Sequence, residues 1–525
     1  MHSAASKENF STGKLGGAMV LVGIAGVFAS DVNCVEVIPS HTLPANMPRR
    51  FLDSAAAPLA LVFFCLVLHV IGTWALPLIN RDEPRFAEAS REMRELGDYV
   101  VPTFNGQLRL DKPPLIYWCQ SACYRVLGEN EFAARLPSAL ASALTALVVF
   151  GFGSRLYGRR TGLHAALLFT LSLQVIVQSK AAVADMCMVL FVALASWAGW
   201  EICTSEAPKS RRIWWGIFYL SLALGFLAKG PVAWLPIGTV LIFFAWTRKS
   251  GVNRVAKFHL GIPLMLILVA LWGIPALRQT HGEYFRIGIG HHVIERSFVA
   301  LETHGANGLP GYLALLPFYF VTIFASFFPW SFFLPRMVAH FRNPVNRQPR
   351  ELYLIGGIVL TFLIFTLLST KLPHYVLPAF PLLSILLAGW LGETRFPPKW
   401  AATMATLAAI FSIAIPLLSA RFFPVARLAR EAAPWLKPET RFATVEFQEP
   451  DVVWYFRGHI RGWITPVSRD EAVAFMEEPG PHCCLLPSAV AAAMEPQPAW
   501  KKLTSEGINL ATGKHVQLTL WIKES

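Results

Sequence analysis

Between two apolar stretches, the chain carries Asn80-Arg81-Asp82-Glu83-Pro84-Arg85-Phe86-Ala87-Glu88. Arg91-Glu92-Met93 and Leu110-Asp111-Lys112-Pro113-Pro114-Leu115 follow, in a protein that is only 15% charged. Paired carboxylates such as Asp82 and Glu83, held at the rim of an apolar segment, can be shielded from bulk water. There a carboxylate can serve as a general base or an electrostatic anchor. Pro84 fits the first turn of a helix, and Arg85 to Leu96 are good helix formers without a breaker. On that helix Glu88, Arg91, Glu92 and Glu95 recur at spacings of three and four and form one charged face. A solvated face held by i,i+4 pairs is the plainer account of that pattern. Its place directly after an apolar segment is what argues for a site.

Further polar residues sit at other ends of apolar stretches. Asp185 directly precedes one, where an acid is either a helix N-cap or part of a site. Lys229-Gly230-Pro231 and Ser369-Thr370-Lys371-Leu372-Pro373-His374-Tyr375 each place one lysine in a tight turn. A single such lysine can snorkel to the membrane interface. Residues 278–311 contain His292 and Glu295, one helical turn apart. These two are either partners on a divalent metal ion or members of a hydrogen-bonded loop. The order His-His-x-x-Glu is not the HExxH of a zincin, which disfavours metalloprotease chemistry.

The elements that must position these residues are transmembrane helices. With 525 residues, 54% hydrophobic content, 17 Trp and 38 Phe, the chain is too apolar for a soluble globule and reads as a polytopic membrane protein. Its formal charge of +13 comes from short basic groups between apolar spans rather than from one basic face, which excludes a nucleic-acid-binding role. Spans are predicted near 57–79, 136–154, 162–179, 186–203, 213–228, 231–246, 259–277, 312–334, 352–369, 374–393 and 401–420, about eleven in all. Arg155, Arg159 and Arg160, then Lys209, Arg211 and Arg212, then Arg248, Lys249, Arg254 and Lys257 fall in alternate connections. Arg336, Arg342, Arg347, Arg350, Arg395 and Lys399 continue that side, which is assigned to the cytoplasm. The opposite connections are 80–135, the turns near 180–185, 229–231 and 369–374, and the loop 278–311. An odd number of spans leaves the tail from residue 421 exported. Its strand-like 442–447 and 516–521 around a helical 470–476 predict a small α/β domain. Residues 1–56 form an N-terminal extension in which Lys7 and Lys14 precede an apolar run, 15–29, like a signal-peptide core. A cleaved signal would put Arg49-Arg50 outside, against the topology of the body, so Met47 is expected to be the true start. The eight cysteines make neither a disulfide framework nor a zinc-ribbon spacing, and the adjacent Cys483 and Cys484 are expected to be unpaired.

Lys112, Lys229 and Lys371 all lie on the face that the positive-inside bias should empty of lysine, unless a ligand there is anionic. Together with Asp82, Glu83, Asp185, Tyr117, Trp118 and Tyr375 they suit one task. Cations hold a lipid-linked phosphate while an acid activates an acceptor hydroxyl. There is no Walker A or GxGxxG cradle, which argues against a nucleotide donor.

Residues 81–88, Gly97-Asp98-Tyr99-Val100-Val101-Pro102, Asn105-Gly106 and Asp111-Lys112-Pro113-Pro114-Leu115-Ile116-Tyr117-Trp118 resemble the first exported loop of the aminoarabinose (4-amino-4-deoxy-L-arabinose) lipid A transferases. Those enzymes belong to the protein O-mannosyltransferase-like group of GT-C glycosyltransferases. Asp185, Lys229-Gly230-Pro231, His292 to Arg296, Pro329-Trp330 and Lys371 to Pro378 extend the resemblance over roughly 57–395. It implies an all-α GT-C membrane domain over 57–420, with the exported α/β domain at 421–525. It also implies catalytic acids Asp82, with Glu83 beside it, and Asp185, and donor-phosphate contacts from Lys112 and Lys371. To these the residue pattern adds Lys229, Tyr117 and Tyr375. A divalent ion at His292 and Glu295 is the one cofactor suggested. The chain departs from the aminoarabinose enzymes in having fewer spans and an unmatched C-terminal domain.

The expectation is therefore an inverting polyprenyl-phosphate-sugar-dependent glycosyltransferase. It would work at the outer face of the inner membrane on a lipid A-like, other lipid or protein acceptor. A flippase for a lipid-linked saccharide is the alternative from another class. That reading predicts polar residues in mid-span and inverted repeats, whereas here the polar residues sit at span ends.

Overall fold

A computed structural model describes residues 54, 56–79, 81–248, 251–288, 290, 308–419, 422–494, 499–509 and 512–524. Most of them are helical. After the short apolar helix α1 (Ala56–Val70), the first loop forms α2 (Asp82–Leu96), the two-residue strands β1 (Thr103–Phe104) and β2 (Gln107–Leu108), and α3 (Leu115–Leu127). α2 starts two residues before Pro84, so Asp82 and Glu83 occupy its first turn, where the helix dipole favours carboxylates. Gly97 ends it in the left-handed conformation.

The membrane part continues with α4 (Glu131–Tyr157), the bent pair α5 (Arg159–Thr170) and α6 (Leu173–Ser179), α7 (Asp185–Thr204), α8 (Pro208–Lys229), α9 (Leu235–Trp246) and α10 (Phe258–Gln279). Then come a second bent pair, α11 (Gly308–Ala314) and α12 (Phe318–Ser326), and α13 (Leu334–Arg342), α14 (Pro349–Leu367), α15 (Phe380–Leu391) and α16 (Pro398–Ser419). By length and composition, the described residues hold seven membrane-crossing helices, or nine with each bent pair as one span, against the eleven expected. Two causes account for the difference. At 15 residues, α1 is short for a bilayer. The run Pro208–Trp246 passes as one apolar helix of 39 residues, yet it doubles back. Trp214 lies on Trp197 at 5.0 Å, Lys229 meets Asp185 at the other end of α7, and Phe243 returns to Trp200 at 5.8 Å. The reversal occurs at Gly230, whose positive φ of 77° favours glycine.

The C-terminal part is the expected α/β domain. β3 (Arg441–Thr444), β4 (Ile464–Pro466), β5 (His482–Pro487), β6 (Lys501–Asn509) and β7 (Lys514–Lys523) form one sheet in the order β4-β3-β5-β7-β6. β3 runs parallel to both β4 and β5, and β7 is antiparallel to β5 and β6. The parallel steps need crossovers, supplied by α18 (Pro450–Arg457) and α19 (Arg469–Glu477), with α17 (Pro424–Ala432) leading into the domain. Leu428, Phe442, Phe456, Cys483, Leu485 and Leu520 fill one side of the sheet. Cys483 and Cys484 are free thiols facing opposite sides of β5.

Candidate active site

Of the charged face of α2 only Glu95 is exposed, contrary to the plainer sequence reading of a solvated face. Glu88 and Glu92 are fully buried, because α18 packs against them. On the neighbouring face Glu83 accepts two hydrogen bonds from Arg135 of α4, at 2.9 and 2.8 Å, and one each from the backbone N–H of Ile79 and Ala182, at 2.6 Å. This buried, four-fold satisfied carboxylate ties the start of α2 to the segment just before Asp185. Glu83 is therefore placed as a structural anchor outside the cavity described next.

A cavity of about 480 Å³ opens where these tied segments meet the ends of α7, α8, α10 and α14. Its polar lining includes Asp82, Arg85, Asp111, Lys112, Asp185, Lys229, His374 and Tyr375. Its apolar wall comes from α10, through Leu266, Val269, Trp272 and Ile274. Asp82 is exposed at the first residue of α2, and that helix has no side-chain cap. Asp185 likewise does not cap α7. It is the helix's first residue and is buried, 2.5 Å from Lys229 Nζ and 3.8 Å from His374 Nε2. Lys229 also lies 5.7 Å from the centre of the Tyr375 ring. The turn between α8 and α9 and the turn after α14 thus deliver Lys229, His374 and Tyr375 to one acid.

Lys112 reaches the cavity from the loop before α3. Tyr284 donates a hydrogen bond to its carbonyl, and Arg109 ion-pairs with the adjacent Asp111 at 3.1 Å. Arg109 lies over Phe86 of α2 at 5.0 Å and donates from Nε to the Tyr117 hydroxyl at 3.0 Å. Tyr117 is fully buried and takes no part in the lining, so it is placed behind the cavity as the support of Arg109. Burial pushes its phenol above the ordinary value, with Arg109 opposing, so the hydroxyl stays protonated.

Lys371 is also placed outside the lining. Its ammonium donates to the carbonyls of Phe365 and Thr366, at 3.0 and 2.5 Å, and lies between the rings of Tyr312 and Tyr319. The last carbonyls of α14 lack helical partners, and a cation at a helix C-terminus satisfies them and the dipole together. Burial lowers the Lys371 pKa to about 8. His292 and Glu295 lie outside the described residues. Among the described residues, no three His, Cys, Asp or Glu side chains form a metal-binding group.

Of the residues singled out in the sequence, the cavity brings together Asp82, Asp185, Lys112, Lys229 and Tyr375. Arg85, Asp111 and His374 join them, although each had been read only as part of a motif. Arg109, Arg135 and Arg457 were missed. Arg109 carried a faint signal in the alternation Arg109-Leu110-Asp111, and the other two carried none.

Fold and cavity together describe a multi-pass membrane protein with a charged site at one end of its helix bundle. Residues 111–274 match the family model described as dolichyl-phosphate-mannose-protein mannosyltransferase. Over 348 residues, 66% of this chain and 60% of the relative, the sequence is 30% identical to the undecaprenyl phosphate-alpha-4-amino-4-deoxy-L-arabinose arabinosyl transferase of Pectobacterium atrosepticum. It is 31% identical to the Edwardsiella ictaluri enzyme of that name over 338 residues, 62% of this chain and 59% of that one. The chain thus spans about 60% of the length of the curated relatives it matches. The crystal structure of ArnT from Cupriavidus metallidurans bound to undecaprenyl phosphate superposes with a TM-score of 0.74, covering 88% of this chain and 97% of that one at 18% identity. The chain therefore has the fold of this structure, the GT-C fold, and is similar in sequence to the aminoarabinose transferases over about 60% of their length.

Proposed function

We propose that the protein transfers a sugar from a polyprenyl-phosphate donor to a lipid A-like or other acceptor, with inversion at the anomeric carbon. The observation that carries this reading is that one cavity brings Asp82 and Asp185 together with Lys112, Lys229 and Tyr375 beside an apolar wall. The wall suits a polyprenyl chain, and the lysines suit its phosphate. As the acceptor oxygen attacks the anomeric carbon, its proton passes to the Asp82 carboxylate. The bond from that carbon to the phosphate oxygen breaks with its electron pair, and polyprenyl phosphate leaves. Lysine contacts that strengthen as this charge develops lower the barrier. Asp185 holds Lys229 at the site. Glu83, Tyr117 and Lys371 are assigned supporting roles, and Lys371 is the least suited to phosphate because two carbonyls already occupy it.

The site is proposed to face the periplasm, on an inner-membrane protein. Supporting this, Arg155 pairs with Glu201 in the last turn of α7, 16 residues beyond Asp185 and thus about 24 Å away. Arg350, Arg159 and Arg160 flank the same end, as the positive-inside bias requires of a cytoplasmic face. The relatives' names suggest undecaprenyl phosphate carrying aminoarabinose as the donor. Incubating purified protein with several polyprenyl-phosphate sugars, and detecting released polyprenyl phosphate by mass spectrometry, tests the reading. Release from none of them, with acceptor lipids present, would overturn it.

A further inference from the structure

The C-terminal domain holds α2 through a group of buried charges that the cavity does not use. Arg457, at the end of α18, ion-pairs with Glu88 at 2.5 Å, Glu92 at 3.4 Å and Glu95 at 2.7 Å, with 2% of its side chain exposed. Trp463 covers the outer face of this guanidinium at 4.2 Å. Arg91 of α2 points the other way. It pairs with Glu88, donates to the Trp454 carbonyl at 2.9 Å and lies over the Trp454 ring. Two arginines thus serve three carboxylates, and neither Glu88 nor Glu92 has access to water.

The same contacts reach the segments on both sides of α2. Glu92 accepts from the Thr103 hydroxyl at 2.6 Å and from the N–H groups of Asn105 and Gly106, which turn the β1–β2 hairpin leading to Arg109, Asp111 and Lys112. Asn105 exchanges two hydrogen bonds with the backbone of Ile464 in β4. A Cβ on Gly106 would come within 2.8 Å of the Trp463 ring, so only glycine lets hairpin and domain meet. Before α2, the Tyr455 hydroxyl accepts from the Leu78 N–H at 2.9 Å, and Arg81 pairs with Glu449 at 3.0 Å. Asp82 therefore lies between two anchorages on one domain, and the loop that carries Lys112 hangs from a third.

We infer that Arg457 is a positioning residue for the proposed transfer: the C-terminal domain, through Arg457 and the Glu88, Glu92 and Glu95 carboxylates, fixes where α2 presents Asp82 in the cavity. This rests on the function proposed above. Arg457 touches no cavity residue, so its effect on turnover must pass through α2. A lysine in its place keeps the charge but cannot reach three carboxylates at once.

The test uses the full-length protein in nanodiscs, as Arg457→Lys and as the paired Arg457→Gln/Glu88→Gln, which removes one buried charge of each sign. Amide hydrogen exchange reports on residues 82–96 independently of any reaction. It should quicken about tenfold or more in α2, with the transmembrane helices unchanged. Turnover should fall about tenfold or more, while the KM for the polyprenyl-phosphate sugar stays within about threefold. Asp82→Asn should then cost less in the Arg457→Lys background than in the parent, because a displaced carboxylate has less to lose. A merely structural arginine would leave the two losses multiplicative. Unchanged exchange in α2 in both variants, or full multiplicativity, would overturn the inference. Faster exchange in α2 together with a parent protein that transfers no sugar would retain the anchorage and overturn the proposed function instead.

Discussion

Asp185 and Lys229 face each other at 2.5 Å, one the first residue of α7 and the other the last of α8, so the two helices close on an ion pair at the cavity. Both side chains are largely withdrawn from water, at 7% and 17% exposure. Removing one partner of a buried pair strands the other charge, a loss of about 3–5 kcal/mol. Lys229→Ala should lower the melting temperature clearly, and Asp185→Asn/Lys229→Gln should recover most of the loss. Thermal unfolding in nanodiscs checks this, and a Lys229→Ala protein that melts with the parent would contradict it.

The two remaining lysines should separate in donor binding. Lys112 lines the cavity, whereas Lys371 caps α14. Lys112→Ala should weaken affinity for a polyprenyl phosphate by about 1.5–3 kcal/mol, roughly ten- to a hundredfold. Lys371→Ala should leave it within about twofold. Equal losses in the two variants, measured by titration into nanodiscs, would return Lys371 to the binding site.

Lys371 also predicts a pH dependence. Its pKa falls to about 8 in the folded protein, because burial disfavours the ammonium, against an ordinary value of 10.5. Below about 8 both states hold the proton. Between 8 and 10.5 the unfolded chain binds more protons than the folded one, so stability rises with pH, and above 10.5 it levels off. The melting temperature of the parent relative to Lys371→Met should therefore increase from pH 8 to pH 10. A difference that stays flat or shrinks over that window would show the ammonium to be well solvated.

Topology offers a fourth test. Alkaline phosphatase fused in the loops bearing Arg159, Arg211 and Arg342 should be inactive, and fused beyond residue 421 it should be active. Activity at 336–350 would invert the assignment and put the cavity on the cytoplasmic face.

Much of this was legible because polar residues at the ends of apolar helices stand out against their surroundings. Asp82, Lys112, Lys229 and Tyr375 each sit within two residues of a proline or glycine, Asp185 directly precedes an apolar span, and the fold gathers those ends. What the sequence hides is the partner of each charge. A lysine after a span looks the same whether it faces a ligand or its own helix carbonyls, and only the turn geometry after α14 separates Lys371 from Lys112. Glu83 and Glu88 look like surface acids because Arg135, the partner of Glu83, and Arg457, the second partner of Glu88 beside Arg91, lie 52 and 369 positions away. The reversal inside the continuous apolar run Pro208–Trp246 was legible as well, because Gly230-Pro231 after Lys229 marks a turn that hydropathy alone does not report.

The central claim rests on Asp82, at the open end of α2 with no capping role in that helix. Asparagine preserves its size and hydrogen bonding and removes only the negative charge. Turnover of Asp82→Asn should be measured as polyprenyl phosphate released from the donor by mass spectrometry, beside melting temperature and donor affinity. The account predicts a fall of roughly 10²- to 10⁴-fold with the other two quantities unchanged, toward the lower end if Asp185 takes over part of the role. An Asp82→Asn protein that releases polyprenyl phosphate at the parent rate would contradict the account and move the base to Asp185.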